Sequence, residues 1–162
     1  MTSVRIMTLL LALALLPAAV HAAEDASSPR SLDALADDVK FQNGLGFIKL
    51  KMYDKALETF NEYLEIYYNG NHRNEAYKYI AEIYFNRLEY ARAIQYYRAL
   101  YEEFSNTEPG VEAFFNTGIC YMKMGYDKEA SEVFNEIIEN HRESAFRQQA
   151  ELQLDMLNIL GE

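Results

Sequence analysis

Tryptophan is absent from this 162-residue sequence, and only one cysteine, three prolines and seven glycines occur in it. A lone Cys120 excludes an internal disulfide, so stability has to come from packing. So few prolines and glycines exclude collagen-like and low-complexity chains and favour helices. Positive charge is scarce too: 15 Lys plus Arg stand against 25 Asp plus Glu, a formal net charge of −10. Such a surface repels nucleic acid and anionic lipid headgroups, and nucleic acid is excluded as a partner. Catalytic patterns are missing as well, with no glycine-rich phosphate loop, no Gly-x-Ser-x-Gly and no Cys-x-x-Cys.

What is present in quantity is aromatic and apolar. Thirteen Tyr and nine Phe contribute to a half-apolar composition, enough for a sizeable core in one domain. Cys120 itself reads as a small buried apolar side chain rather than a reactive thiol. Of the three histidines, His72 and His141 fall near expected helix ends, where a solvated or capping role outweighs metal ligation. Glu102 and Glu103 are adjacent on one helix, do not face each other, and read as solvated surface. The sequence therefore predicts no catalytic residue, no metal and no cofactor.

The first 22 residues stand apart. Arg5 precedes an uncharged apolar run from Ile6 to Leu16, Pro17 breaks it, and Val20-His21-Ala22 places small residues around a cleavage point. This is the pattern of a secretory signal peptide, with cleavage expected after Ala22. A membrane anchor is the rival reading, but the run is shorter than the roughly 20 residues of a spanning helix. No cysteine lies nearby to carry a lipid. Loss of Arg5, the one charged residue of that segment, takes the formal charge from −10 to −11. Residues 23–30 (AEDASSPR) are polar and read as a flexible leader, and a single domain is expected over 31–162. Its expected address is the periplasm or another exported space, without stable membrane insertion once the signal is gone.

From Ser31 onward three stretches look alike at a constant stride of 37 residues. Gly44, Ala81 and Gly118 form one column; Phe47, Tyr84 and Tyr121 a second; Ala56, Ala93 and Ala130 a third; Phe60, Tyr97 and Phe134 a fourth. Only the tyrosines Tyr53, Tyr90 and Tyr126 slip, by one place at the last. A fixed period of this size signals a solenoid of repeated helix pairs. The physics fits: a small residue lets a neighbouring helix approach, and an aromatic three or four positions on fills the space beside the crossing. Each pair leaves one apolar flank for the next to cover. Helices are expected near 31–51, 54–68, 73–87, 90–104, 109–124, 127–141 and 144–160, with breaks at Tyr53-Asp54, Asn69-Gly70-Asn71, Leu88-Glu89, Asn106 to Gly110, Gly125 and Glu143-Ser144. In the last helix Gln148, Glu151 and Asp155 supply a polar capping side, with Leu152, Leu154 and Leu157 facing inward at least in part.

These columns resemble the tetratricopeptide repeat family. Its opening aromatic is matched by Tyr77 and Phe114, though Lys40 stands in the first copy. Its alanine column is complete, and its late proline is replaced by Tyr68, Ser105 and Arg142. The resemblance implies an all-α, right-handed α-solenoid of about three helix pairs (repeats near 37–70, 74–107 and 111–144) closed by a capping helix near 144–160. The long stride on an exported chain is similar to the periplasmic members related to BamD and to the C-terminal part of YbgF. Those members work in outer-membrane assembly or envelope constriction. This chain lacks the lipid-anchor cysteine and the long N-terminal coiled coil, so neither role transfers.

In that family the first helix of each pair lines a concave groove, which by resemblance assigns Phe41, Leu45 and Ile48 from the first pair. Lys78, Glu82 and Phe85 follow from the second, and Phe115, Ile119 and Met122 from the third. The groove would take an apolar helix or extended segment of a partner protein. For Phe41, Leu45 and Ile48, internal packing stays equally open, whereas for the third set the groove is preferred. Lys78 and Glu82, four apart, read as a surface ion pair. Some family members clamp a terminal carboxylate with Lys and Asn; Phe41 and Leu45 occupy those places, which argues against such a clamp. The function read from the sequence is thus an exported interaction scaffold with a partly apolar groove, serving envelope assembly or maintenance. A structural subunit that self-associates through aromatic-rich ends is the alternative, and an enzyme without a recognisable motif is the third.

Overall fold

A helix interrupted at a fixed stride needs the same stop at each interruption. The computed structural model describes residues 32–160 and contains, within them, α1 (Leu32–Lys49), α2 (Tyr53–Ile66), α3 (Arg73–Asn86), α4 (Tyr90–Phe104), α5 (Glu108–Met124), α6 (Asp127–Asn140) and α7 (Phe146–Leu160), with no strand among the described residues. The expected signal peptide, 1–22, and leader, 23–30, lie outside the described residues. α1, α3 and α5 each end on a residue in the left-handed region: Lys51 (φ 57°), Leu88 (φ 63°) and Gly125 (φ 76°), again 37 apart. Their amides donate back to Ile48, Phe85 and Met122, and the next amides, of Met52, Glu89 and Tyr126, donate to Phe47, Tyr84 and Tyr121 at 2.8–2.9 Å. Both bonds together make a Schellman stop, which satisfies carbonyls the helix end would otherwise orphan. Tyr126 therefore stands with Met52 and Glu89 in front of the second helix, which explains its one-place slip against Tyr53 and Tyr90. α5 starts differently: Thr107 accepts from the Gly110 amide, and Pro109 sits in the first turn, where no backbone donor is missed.

Packing follows the columns. Ala56, Ala93 and Ala130 are fully buried, and so are Phe60 and Phe134, with Tyr97 close behind. A side chain on Gly118 would bring its Cβ to 2.6 Å from the Phe134 ring, and one on Gly44 would meet the Phe60 ring in the same way. Glycine there is a condition of close approach between the two helices of a pair. The units then stack in sequence, α2 on α3, α4 on α5 and α6 on α7. Another column emerges across these stacks: Ala76, Ala113 and Ala150 are all buried, at the same stride, so α7 is the first helix of a fourth unit.

Polar residues inside are tied. Arg73, nearly buried, donates to both oxygens of Glu103, to the carbonyls of Leu64 and Tyr67, and to the Tyr77 hydroxyl, which joins α2, α3 and α4. Hydrogen bonding from Arg73 holds the Glu103 carboxyl below its usual range. Glu103 is thus an anchor between units rather than idle solvated surface, a correction to the sequence reading. Cys120 is buried, and burial alone pushes its thiol up to about 12, which keeps it from reacting as a thiolate. Among the described residues no helix is long and apolar enough to cross a membrane.

Candidate protein-interaction surface

α3 touches α5 and α5 touches α7, while the even helices make no comparable contact with one another. α3, α5 and α7 therefore lie together on one side of the stack, the side that the resemblance assigns to the groove. α1, α3 and α5 each carry the assigned set at the same register, but the sets differ in what they present.

In α1, Phe41 is buried. His72, in the link before α3, stacks on its ring at 4.3 Å and 7°, and Phe60 and Tyr63 pack beside it. Leu45 and Ile48 are half-buried against the same core. In α5, Phe115 is buried in the equivalent way, between Phe134 at 5.4 Å and Phe146 of α7 at 5.5 Å. His72 and Phe146 stand at the same register, two strides apart, each closing over the aromatic of the preceding odd helix. Phe41 and Phe115 are therefore core, because the residue that covers each lies 31 positions downstream. For Phe115 this corrects the sequence reading, which placed it in the groove. Ile119 and Met122 remain half-exposed on the second core.

The middle set is polar and inter-helical. Lys78 donates to Glu112 of α5 at 2.7 Å, so the expected pair with Glu82 gives way to a bond between units. Glu82 is half-buried beside both; burial holds its carboxyl above the usual range, with Lys78 pulling the other way. Phe85 packs edge-on to Tyr90 at 5.3 Å.

The residues missed are on α7. One stride beyond Phe115, Ile119 and Met122 stand Leu152, Met156 and Ile159, and they are 59%, 43% and 73% exposed. The inward orientation expected for Leu152 is wrong; it belongs to the row on the groove side. The signal was in the stride itself, extended once more into a helix treated only as a cap. The opposite side of α7 does cap: where α3 turns Tyr77, Ala81 and Tyr84 to α4, α7 has Glu151, Asp155 and Asn158, with Glu151 paired to Arg147 at 3.1 Å. Leu157 packs on the second core, as expected.

Elsewhere the polar groups are structural. His141 shares a 2.8 Å hydrogen bond with the Tyr101 hydroxyl, and His72 lies between Asp38 and Glu75 at 2.9 and 3.0 Å. Among the described residues no group of three His, Cys, Asp or Glu side chains is placed to hold a metal ion.

No curated protein sequence matches the chain. Among solved structures, the N-terminal domain of stress-induced protein-1 from C. elegans superposes with a TM-score of 0.65 at 18% identity, over 77% of this chain and 96% of that one. At that identity the likeness speaks to fold, and it agrees with an all-α solenoid. The sequence pattern of the tetratricopeptide repeat family matches residues 75–107 and 112–144, the units built from α3–α4 and α5–α6. These two units are tetratricopeptide repeats.

Proposed function

We propose that this chain is an exported scaffold that holds an apolar segment of a partner protein along its concave face, with the anchor at the α7 end. Tetratricopeptide repeats serve protein–protein interaction, and the feature that supports this site is the open row Leu152, Met156 and Ile159 running on from the half-exposed Ile119 and Met122. Exposed apolar side chains aligned at helical spacing accept an apolar helix or extended strand. The signal-peptide pattern of residues 1–22 and the long stride shared with periplasmic family members support an envelope role.

Two measurements test this reading. Sequencing the amino terminus of the protein recovered from envelope extract is expected to start at Ala23; an intact Met1 rejects export by this route. A photo-crosslinking residue at Met156 is expected to form partner adducts that the same residue at Glu132, exposed on α6, does not. Equal adducts at both positions, or none at Met156, reject the concave site.

A further inference from the structure

Antiparallel packing puts the turns inside the units, at 50–52, 87–89 and 125–126, along one edge of the stack and the links between units along the other. Neighbouring turns touch. Arg87, just after α3, pairs with Asp54 of α2 at 2.7 Å, and Met124, closing α5, lies beside residues 88–92. The net charge of −10 is unevenly divided between these two edges. Exposed Asp33, Glu65, Glu102, Glu139 and Glu143 lie at the link edge, with Arg142 among them. At the first turn, residues 49–55 read Lys-Leu-Lys-Met-Tyr-Asp-Lys, and all seven are exposed.

The three lysines of that turn are uncommitted. Asp54, its one carboxylate, is taken by Arg87, and among the described residues no carboxylate pairs with Lys49, Lys51 or Lys55. Lys55 only overhangs the Phe47 ring, 5.8 Å from its centroid. Lys51, Lys55 and Arg87 line a cleft of about 320 Å³ together with Met52, Tyr53 and Asp54. One stride on, the same cleft recurs with Leu88 in place of Lys51 and Met124 in place of Arg87, so its cationic form is particular to the first turn.

Apolar side chains stand out beside these cations: Leu50 and Leu88 are 69% and 70% exposed. Leu88 occupies a left-handed stop that Gly125 fills without strain, so neither packing nor backbone geometry accounts for a leucine there. Turns set in a row offer a line of tips rather than a groove, which suits a flat partner. The charge of that partner is opposite to the uncommitted lysines. We propose that this edge rests on a bilayer with anionic headgroups, the acidic link edge turned away from it. Leu50 and Leu88 then enter the acyl boundary, Tyr53 lies at headgroup level, and Lys49, Lys51 and Lys55 meet the phosphates. The whole-chain charge that repels anionic headgroups is reversed locally at this turn, with three lysines against one aspartate.

Sedimentation with lipid vesicles at low salt tests it, using the chain from Ala23 onward, which keeps every described residue and leaves out the apolar run Ile6 to Leu16. Vesicles of phosphatidylcholine and phosphatidylglycerol in equal parts are expected to carry the chain down, and pure phosphatidylcholine vesicles are not. Added salt is expected to release it. Lys51→Glu is expected to weaken binding at least about tenfold. Arg142→Glu makes the same charge change at the link edge and is expected to leave binding intact. Leu88→Gly is expected to weaken binding about fivefold while the fold gains stability, so the loss cannot be one of folding. A chain that stays in solution with both kinds of vesicle overturns the proposal, whatever acidic protein the edge then holds. Equal binding to neutral vesicles, equal losses in Lys51→Glu and Arg142→Glu, or full binding by Leu88→Gly overturns it as well.

Discussion

The junction of α1, α2 and α3 and the junction of α5, α6 and α7 share one backbone plan and, of four matching positions, differ in chemistry at three. Phe41, Tyr63, His72 and Asp37 fill the first; Phe115, Ile137, Phe146 and Val111 fill the second, two strides later. At the first, buried Asp37 accepts from the Tyr63 hydroxyl at 2.5 Å and from the Asn71 amide at 3.0 Å, while the Tyr63 oxygen accepts from the His72 amide at 3.0 Å. Burial, then the hydrogen bond to Asp37, pushes the Tyr63 hydroxyl above its usual range. The second junction is aromatic and aliphatic throughout. One solenoid geometry is thus compatible with a directional polar lock and with plain apolar filling, which separates what the fold requires from what a given unit adds.

Substitutions can break that comparison from either side. The largest effect is expected at the apolar junction: Phe134→Ala empties a fully buried site and should cost about 3–5 kcal/mol in denaturant unfolding. At the polar junction Tyr63→Phe keeps the shape but deprives the Asp37 carboxylate of a donor and the His72 amide of an acceptor. A loss of about 1–3 kcal/mol is expected by the same measurement, larger than a shape-preserving change at Ile137 would give.

His72 sharpens the contrast through pH. Burial alone would lower its pKa, but the carboxylates of Asp38 and Glu75 outweigh burial and raise it. A folded-state value above the unfolded one stabilises the protein fully below about pH 6.5, and that contribution is lost as pH rises through the folded value. Thermal unfolding is therefore expected to show stability falling as pH rises above about 6.5. His72→Phe, which copies Phe146 into the first junction, should keep the stack on Phe41 and flatten this slope. A slope unchanged in His72→Phe would assign it to another group.

The smallest effect concerns the helix stops. Leu88 takes a left-handed conformation that Gly125 takes without strain, and it is exposed. Leu88→Gly should therefore raise stability by roughly 0.5–1 kcal/mol, and Gly125→Ala should lower it by about 1 kcal/mol. Melting temperatures moving the other way would show that the turns are not equivalent.

The repeat was legible in the sequence because its signals are local and periodic. Gly44 with Phe60, Ala81 with Tyr97 and Gly118 with Phe134 lie within 16 residues of each other, and they recur. The seven helices follow from the same punctuation, down to the stop at Gly125. The interaction face was less legible, since its exposure depends on residues from the next unit. Nothing beside Phe41 announces that His72 will cover it, nor beside Phe115 that Phe146 will. Lys78 had a plausible partner four residues away in Glu82, and the true one, Glu112, lies 34 away on α5. Leu152, Met156 and Ile159 were hidden for another reason: a terminal helix with a polar side reads as a cap, and a cap can be polar towards one neighbour and apolar towards the groove side.

The recurring left-handed stop has a consequence for how such a chain can change in length. Because the stop after α1, α3 and α5 recurs at the same interval, reach along the solenoid is quantised. Excising one whole interval, from Ala76 through Glu112, would bring Ala113 to the place Ala76 held, against α2, with the phase of the columns intact. Excising ten residues from the same stretch would turn the following columns roughly 80° about their helix axis, at 3.6 residues per turn, and strand them in water. Evolution or design can therefore lengthen or shorten this scaffold only in integer steps.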